Sequence, residues 1–230
     1  MVDLPSHYRK IVERIGEAAS KAKRKRDDIK LLGAAKSQSV ELVQAAIVAG
    51  VRFIGENYVQ EAKDKIRAIS EPIEWHMIGH LQRNKAKAAV ELFDVIESLD
   101  SVVLARELDK EGAKCGKVVR TFIEVNLGGE QSKSGIAKNQ VKSLLGEAGK
   151  LPHIVIEGLM TIPPFRENPE AARPYFRELC ELRAMLGDLR QPNADLRELS
   201  MGMTHDYAVA IEEGATIVRI GTALFGPRRS

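Results

Sequence analysis

The feature that most constrains this chain is an alternation. Short apolar runs of strand length occur at Lys30–Ala35, Arg52–Gly55, Glu74–Ile78, Val95–Ser98, Val118–Val125, Val155–Ile162, Glu198–Met201 and Thr216–Ile220. Between them the apolar residues repeat at helical spacing, over Val40–Ala49, Val59–Ile69, Arg83–Val90, Val102–Gly112, Lys138–Glu147, Pro169–Leu186 and Asp206–Glu213. Strands that each lead into a helix do not pair as hairpins; they form parallel sheets joined by crossover helices. About eight such units match a (β/α)8 barrel in both number and size. An open doubly wound sheet is the rival, and it is disfavoured because no Gly-x-Gly-x-x-Gly turn follows the first strand. No linker or break in composition divides the chain, so residues 1–230 read as one α/β domain. An extra helix, His7 to Lys25, precedes the first strand.

Composition narrows the function classes. A net charge of +3 is too small to argue for nucleic acid, and no apolar run approaches the ~20 residues that cross a bilayer. The basic stretch Lys21–Arg26 has no interleaved aromatic residues and reads as a solvated helix end. The N-terminus lacks the layout of a signal peptide, and Cys115 and Cys180 are not spaced as a metal or redox pair. The expectation is a soluble cytoplasmic protein in a reducing compartment, with no metal, no nucleic-acid partner and no membrane.

In a barrel, chemistry collects at the C-terminal ends of the strands and the loops beyond them. Here those ends carry Lys36, Glu56-Asn57, Gly79-His80, Glu97-Ser98, Asn126, Met160-Thr161, Ser200-Met201-Gly202 and Arg219 with Gly221-Thr222. Glycines after the last two strands let a ligand approach the backbone, where many barrels hold a phosphate; a plain tight turn is the alternative. Lys36 ends the first strand, which adjoins the last once the barrel closes. A lysine in that position is either a solvated strand end or an amine that attacks a carbonyl. Beside a phosphate cradle, the second reading suits two ligand classes, sugar phosphates and pyridoxal 5′-phosphate. Arg219 lies two residues before Gly221 and so points to the same side of its strand. An arginine stays protonated; against a pyridine nitrogen it donates a hydrogen bond and keeps that nitrogen unprotonated, which makes a poor electron sink.

Several segments, taken in order, resemble the pyridoxal phosphate homeostasis protein family, whose members share the fold of the alanine racemase N-terminal domain. They are Lys36, Gly55-Glu56-Asn57 with Gln60-Glu61, and His76-Met77-Ile78-Gly79-His80-Leu81-Gln82-Arg83-Asn84-Lys85. Asn126 with Lys133-Ser134-Gly135, Gly158-Leu159-Met160, Leu199-Ser200-Met201-Gly202-Met203 with Asp206, and Val218-Arg219-Ile220-Gly221-Thr222 complete the set. The resemblance implies pyridoxal 5′-phosphate held as a Schiff base on Lys36, with Arg219 facing the ring nitrogen. It implies that Ser200, Gly221 and Thr222 hold the phosphate and that Asn57, His80 and Met201 line the ring. Ala35 stands where the family often has Ser or Thr, and Thr204 where Ser is usual.

The implied role is intracellular pyridoxal phosphate homeostasis and amino-acid and keto-acid balance, without strong catalysis. Its implied partners are the cofactor, amino acids and apoenzymes that accept the cofactor. An amino-acid racemase is the alternative: it needs an acid/base on each face of its substrate, and the racemase supplies the second from a further domain. The chain is expected to lack that domain, and Tyr58 and Tyr207 are expected to serve packing. A Schiff-base aldolase is a third reading, with Glu56 and Glu97 as its only nearby carboxylates. The charged helix surfaces suggest a monomer.

Overall fold

The computed structural model describes residues 3–130, 134–189 and 191–227. Among the described residues nine parallel strands form one sheet: β1 (Lys30–Ala34), β2 (Phe53–Glu56), β3 (Glu74–Met77), β4 (Val95–Leu99), β5 (Val119–Asn126), β6 (Ile136–Ala137), β7 (Ile154–Met160), β8 (Ala194–Met203) and β9 (Ile217–Ile220). The order is β4-β3-β2-β1-β9-β8-β7-β5-β6, and a further β4–β5 pairing closes the ring. The two-residue β6 pairs only with the end of β5, so eight strands make the barrel, as the alternation predicts. Around it run α1 (Leu4–Lys21), α2 (Val40–Ala49), α3 (Val59–Ala68), α4 (Ala86–Leu92), α5 (Val102–Cys115), α6 (Lys138–Ala148), α7 (Arg173–Gly187), α8 (Tyr207–Glu212) and α9 (Thr222–Phe225).

The barrel has two apolar layers because each strand is buried on both faces. Inside the ring, Leu32, Val95, Phe122, Met160 and Ile217 pack together, with Ile78 above them. Outside it, a larger shell of Ile, Leu, Val and Ala joins the sheet to the helices. The lower lumen is polar: Arg120 contacts Glu157 at 2.9 Å and Glu74 at 3.3 Å, while Lys30 meets Glu198 at 2.6 Å. Charges fill the floor, so the ligand-accessible opening lies at the C-terminal end of the strands.

Boundaries differ from the sequence reading in places that have local causes. The first helix starts at Leu4, because Asp3 caps it by accepting from the Ser6 N–H and Pro5 suits its first turn. It ends at Lys21, and Lys23 takes a left-handed φ of 56°. The basic stretch beyond is therefore not a helix end. Arg24 folds in and donates to the carbonyls of Ile211 and Ala215, tying α1 to the end of α8. Strand β8 is longer than expected at its start, and β6 is too short to leave a period in the sequence.

Candidate functional site

A cleft of about 340 Å³ opens at the C-terminal mouth of the barrel. Lys36, just past β1, and Asn57, just past β2, stand on one side. Met203 and Thr204 at the end of β8, Arg219 on β9, and Gly221-Thr222 at the start of α9 form the other. Ile78 and Ile162 are apolar walls, and Phe165 with His205 borders the rim, their rings 5.4 Å apart. The closing of β1 onto β9, with Leu32 opposite Arg219, brings the two ends of the chain together.

The β9 side is a turn built around glycine. Gly202 sits at φ 89°, and a Cβ there would lie 2.5 Å from the Ala210 Cβ. The backbone can therefore reverse after β8 only without a side chain at that position. The turn is held by the Met203 N–H, which donates to Asp206 at 2.7 Å, and by Thr204 Oγ1, which accepts from the Ala223 N–H at 3.4 Å. Gly221 is different. A Cβ there would stand 3.6 Å from the nearest atom, the Ala34 carbonyl oxygen, so protein packing does not demand glycine. Its missing side chain leaves the floor of the turn open to a ligand.

Arg219 is the buried charge of the cleft. Its guanidinium donates to Ser200 Oγ at 2.6 Å and to the Thr161 carbonyl at 2.8 Å. Ser200 in turn donates to Glu97 at 2.5 Å, and the other Glu97 oxygen meets His76 Nδ1 at 2.6 Å. His76 Nε2 reaches Glu74 at 2.9 Å, so a polar chain runs from the mouth to the charged floor. Burial alone would lower the His76 pKa, but hydrogen bonds to Glu74 and Glu97 outweigh it and leave it raised. The same contact holds Glu74 down at about 2. Glu124, also buried below the mouth, is pushed up to about 7 by burial that the nearby Arg219 only partly offsets.

Of the residues singled out in the sequence, Lys36, Asn57, Arg219, Gly221 and Thr222 line one cleft. Ser200 does not: it is wholly buried beneath Arg219, with its hydroxyl engaged on both sides. Met201 follows it on the strand, so alternation turns its side chain outward into the apolar shell under the helices. Neither Ser200 nor Met201 lines the cleft. His80 lies in a neighbouring groove of about 540 Å³, with its Nδ1 3.3 Å from Asp100; Asn57 lines both cavities. Thr204 is the hydroxyl that the sequence reading placed only as a family departure, and Phe165 and His205 left no periodic signal. Among the described residues no cluster of His, Cys, Asp and Glu could hold a metal ion.

The alanine racemase N-terminal domain family matches residues 10–229. The pyridoxal phosphate homeostasis protein of Aquifex aeolicus is 47% identical over 221 residues, 96% of each chain. This chain belongs to the pyridoxal phosphate homeostasis protein family. The Pasteurella multocida member is 39% identical over 223 residues, covering 95% of this chain and 94% of the relative. Among solved structures, a protein from Bifidobacterium adolescentis superposes with a TM-score of 0.91 at 35% identity, covering 97% of both chains. PipY of Synechococcus elongatus, a structure described as having PLP bound, has a TM-score of 0.82 at 34% identity, over 92% of this chain and all of that one. An alanine racemase from Clostridium difficile, at 16% identity and a TM-score of 0.69, shares the fold alone. In this member the barrel carries Lys36, Arg219 and the Gly221 turn in one cleft.

Proposed function

We propose that this protein binds pyridoxal 5′-phosphate in the barrel-mouth cleft, attached through Lys36, and serves the homeostasis of that cofactor and the balance of amino and keto acids without strong catalysis of its own. The carrying observation is Arg219, locked by Ser200 and the Thr161 carbonyl in the same cleft as Lys36 and the open Gly221 turn. The residues suit the ligand at each end. Thr204, Gly221 and Thr222 would hold the phosphate, Asn57 and the Ile78 and Ile162 walls would border the ring, and Arg219 would meet its nitrogen. Pyridoxal phosphate supplies an aldehyde that condenses with primary amines. With the ring nitrogen against it, Arg219 would donate a hydrogen bond rather than a proton, which would withhold the electron-sink chemistry that enzymes of this cofactor exploit. Apoenzymes that accept the cofactor, and amino acids, are the partners this role needs.

A racemase would need a second proton-transfer group facing Lys36 across the ligand. Tyr207 is buried beneath the Arg14 guanidinium, and Tyr58 stacks on the Lys36 side. Neither stands across the cleft. Two free cysteines accord with a reducing, cytoplasmic setting, and the large exposed apolar side chains Val48, Tyr58, Val103, Val118, Phe165 and Met185 are spread over several helices and loops, which suits a monomer. No described helix is long and apolar enough to cross a membrane.

The test is spectroscopic. Adding pyridoxal phosphate should produce a visible absorbance band, and borohydride reduction followed by peptide mapping should place the adduct on Lys36. Absence of a band at saturating ligand refutes the reading. Deuterium exchange at the α-carbon of added amino acids, above the level of Lys36→Ala, would refute the non-catalytic part.

A further inference from the structure

Both peptide neighbours of Lys36 are held from one helix. Lys65, on α3, is buried, and its ammonium donates to the Ala35 carbonyl at 2.8 Å and to the Glu56 carboxylate at 2.6 Å. Glu56 is fully buried, and its second oxygen has no hydrogen-bond partner. One turn earlier on α3, the Glu61 carboxylate accepts from the Ser37 N–H at 3.0 Å. Ser37 sits at φ 61°, a left-handed conformation that a serine keeps only when its surroundings impose it. Tyr58, the residue that opens α3, places its ring 5.1 Å from the Lys36 ammonium. Residues 35, 36 and 37 each receive a contact from the segment 56–65.

Holding α3 against the barrel does not explain the Glu56–Lys65 pair. A buried ion pair is often no more stabilising than two apolar side chains of the same volume. What such a pair does, and leucine with methionine cannot, is present a charged donor to one backbone carbonyl at a set position. That carbonyl belongs to the residue before the reactive lysine. A lysine on a free strand end spreads its amine over many rotamers, whereas attack on a carbonyl needs the reacting atoms within about 3–3.5 Å and aligned.

We infer that the Glu56–Lys65 pair and Glu61 are positioning residues for Lys36: they fix the backbone on both sides of it so that its amine is presented to the cleft. The inference rests on the proposed attachment of pyridoxal phosphate at Lys36. In that step the neutral amine adds to the aldehyde carbon, a C=N bond replaces C=O, and the oxygen leaves as water carrying both amine hydrogens. Positioning governs this covalent step. The prior non-covalent binding belongs to the Thr204–Gly221–Thr222 turn.

Stopped-flow mixing with pyridoxal phosphate over a range of concentrations separates the two, giving a binding constant and a first-order attachment rate. The double variant Glu56→Leu/Lys65→Met removes both charges at similar volume and avoids a lone buried charge. It should attach about tenfold more slowly, with the binding constant kept within about twofold. Glu61→Ala should act the same way, and Glu61→Gln, which still offers an oxygen to Ser37, should restore most of the lost rate. Should the double variant not fold, the Glu61 pair decides alone. Attachment at the wild-type rate in folded variants overturns the inference, as does a parallel fall of rate and binding constant with no recovery in Glu61→Gln. If the wild-type adduct maps away from Lys36, the functional reading itself falls, and that outcome is distinct.

Discussion

Replacing Ser200 by alanine removes one oxygen that serves two buried charges. The Ser200 hydroxyl accepts from Arg219 at 2.6 Å and donates to Glu97 at 2.5 Å, at a position with no solvent exposure. A hydrogen bond to a charged group contributes about 1.5–3 kcal/mol, and a buried partner left without one costs its desolvation as well. Two such bonds set an upper figure of about 6 kcal/mol. Relaxation reduces it. Arg219 keeps the Thr161 carbonyl, Glu97 keeps His76, and the Arg219 and Glu97 heads, already 3.9 Å apart, can close into a direct pair. The expected loss is about 2–4 kcal/mol, or roughly 5–15 °C in melting temperature for a chain of this size. Urea unfolding of the ligand-free protein at pH 7 reads it directly, with the slope against denaturant confirming that both states are unchanged. On the proposed placement of the ring against Arg219, the band seen with pyridoxal phosphate should also shift in the variant, because the guanidinium has lost one of its two restraints. A stability loss below about 1 kcal/mol at unchanged slope would refute the reasoning. It would mean that the Arg219–Glu97 contact supports itself and that Ser200 only fills space.

Glu124 should make stability depend on pH in a defined direction. Its pKa is raised to about 7, so the folded state holds this proton more tightly than the unfolded chain. The stabilisation is complete below the usual glutamate pKa and is lost as pH rises to about 7, an effect of about 3 kcal/mol. Glu124→Gln should therefore be nearly neutral at pH 4.5 to 5 but clearly stabilising at pH 8 in urea titrations; equal effects at both pH values would contradict this. Gly202→Ala should cost about 2–4 kcal/mol by thermal melting, since it combines a left-handed φ of 89° with a Cβ 2.5 Å from Ala210. Because that turn carries Thr204, the same substitution should weaken pyridoxal phosphate binding in equilibrium titration, and unaltered binding would separate the turn from the phosphate.

The barrel was legible in the sequence because its two periodicities are local. Each strand needs only a short apolar run, and each helix needs only its 3.6-residue stripe, so the alternation survives without knowledge of any contact. Lys36 and the Gly221 turn were legible for a related reason. They sit at element boundaries, where a change of period marks the backbone position that a barrel turns toward its mouth. For Ser200 and Met201 the sequence could not say which one the barrel turns inward. Two adjacent strand residues point to opposite faces, and register shifts where β8 pairs with both β7 and β9 hide from the sequence which of them faces the lumen. Thr204 reaches the cleft only because Gly202 reverses the chain after β8.

By itself, then, the sequence determined a parallel barrel with a lysine at the end of its first strand and an arginine and glycine turn at the end of its last. Only the closed ring decided that these belong together, since β1 and β9 are distant in the chain and adjacent in space. It also decided the polar chain from Arg219 through Ser200, Glu97 and His76 to Glu74, whose members come from four strands. The grip of Lys65 and Glu61 on the residues beside Lys36 has the same origin. A hydrogen bond depends on where two atoms stand to within a few tenths of an ångström, and a chain's local pattern carries no such distance across its folds.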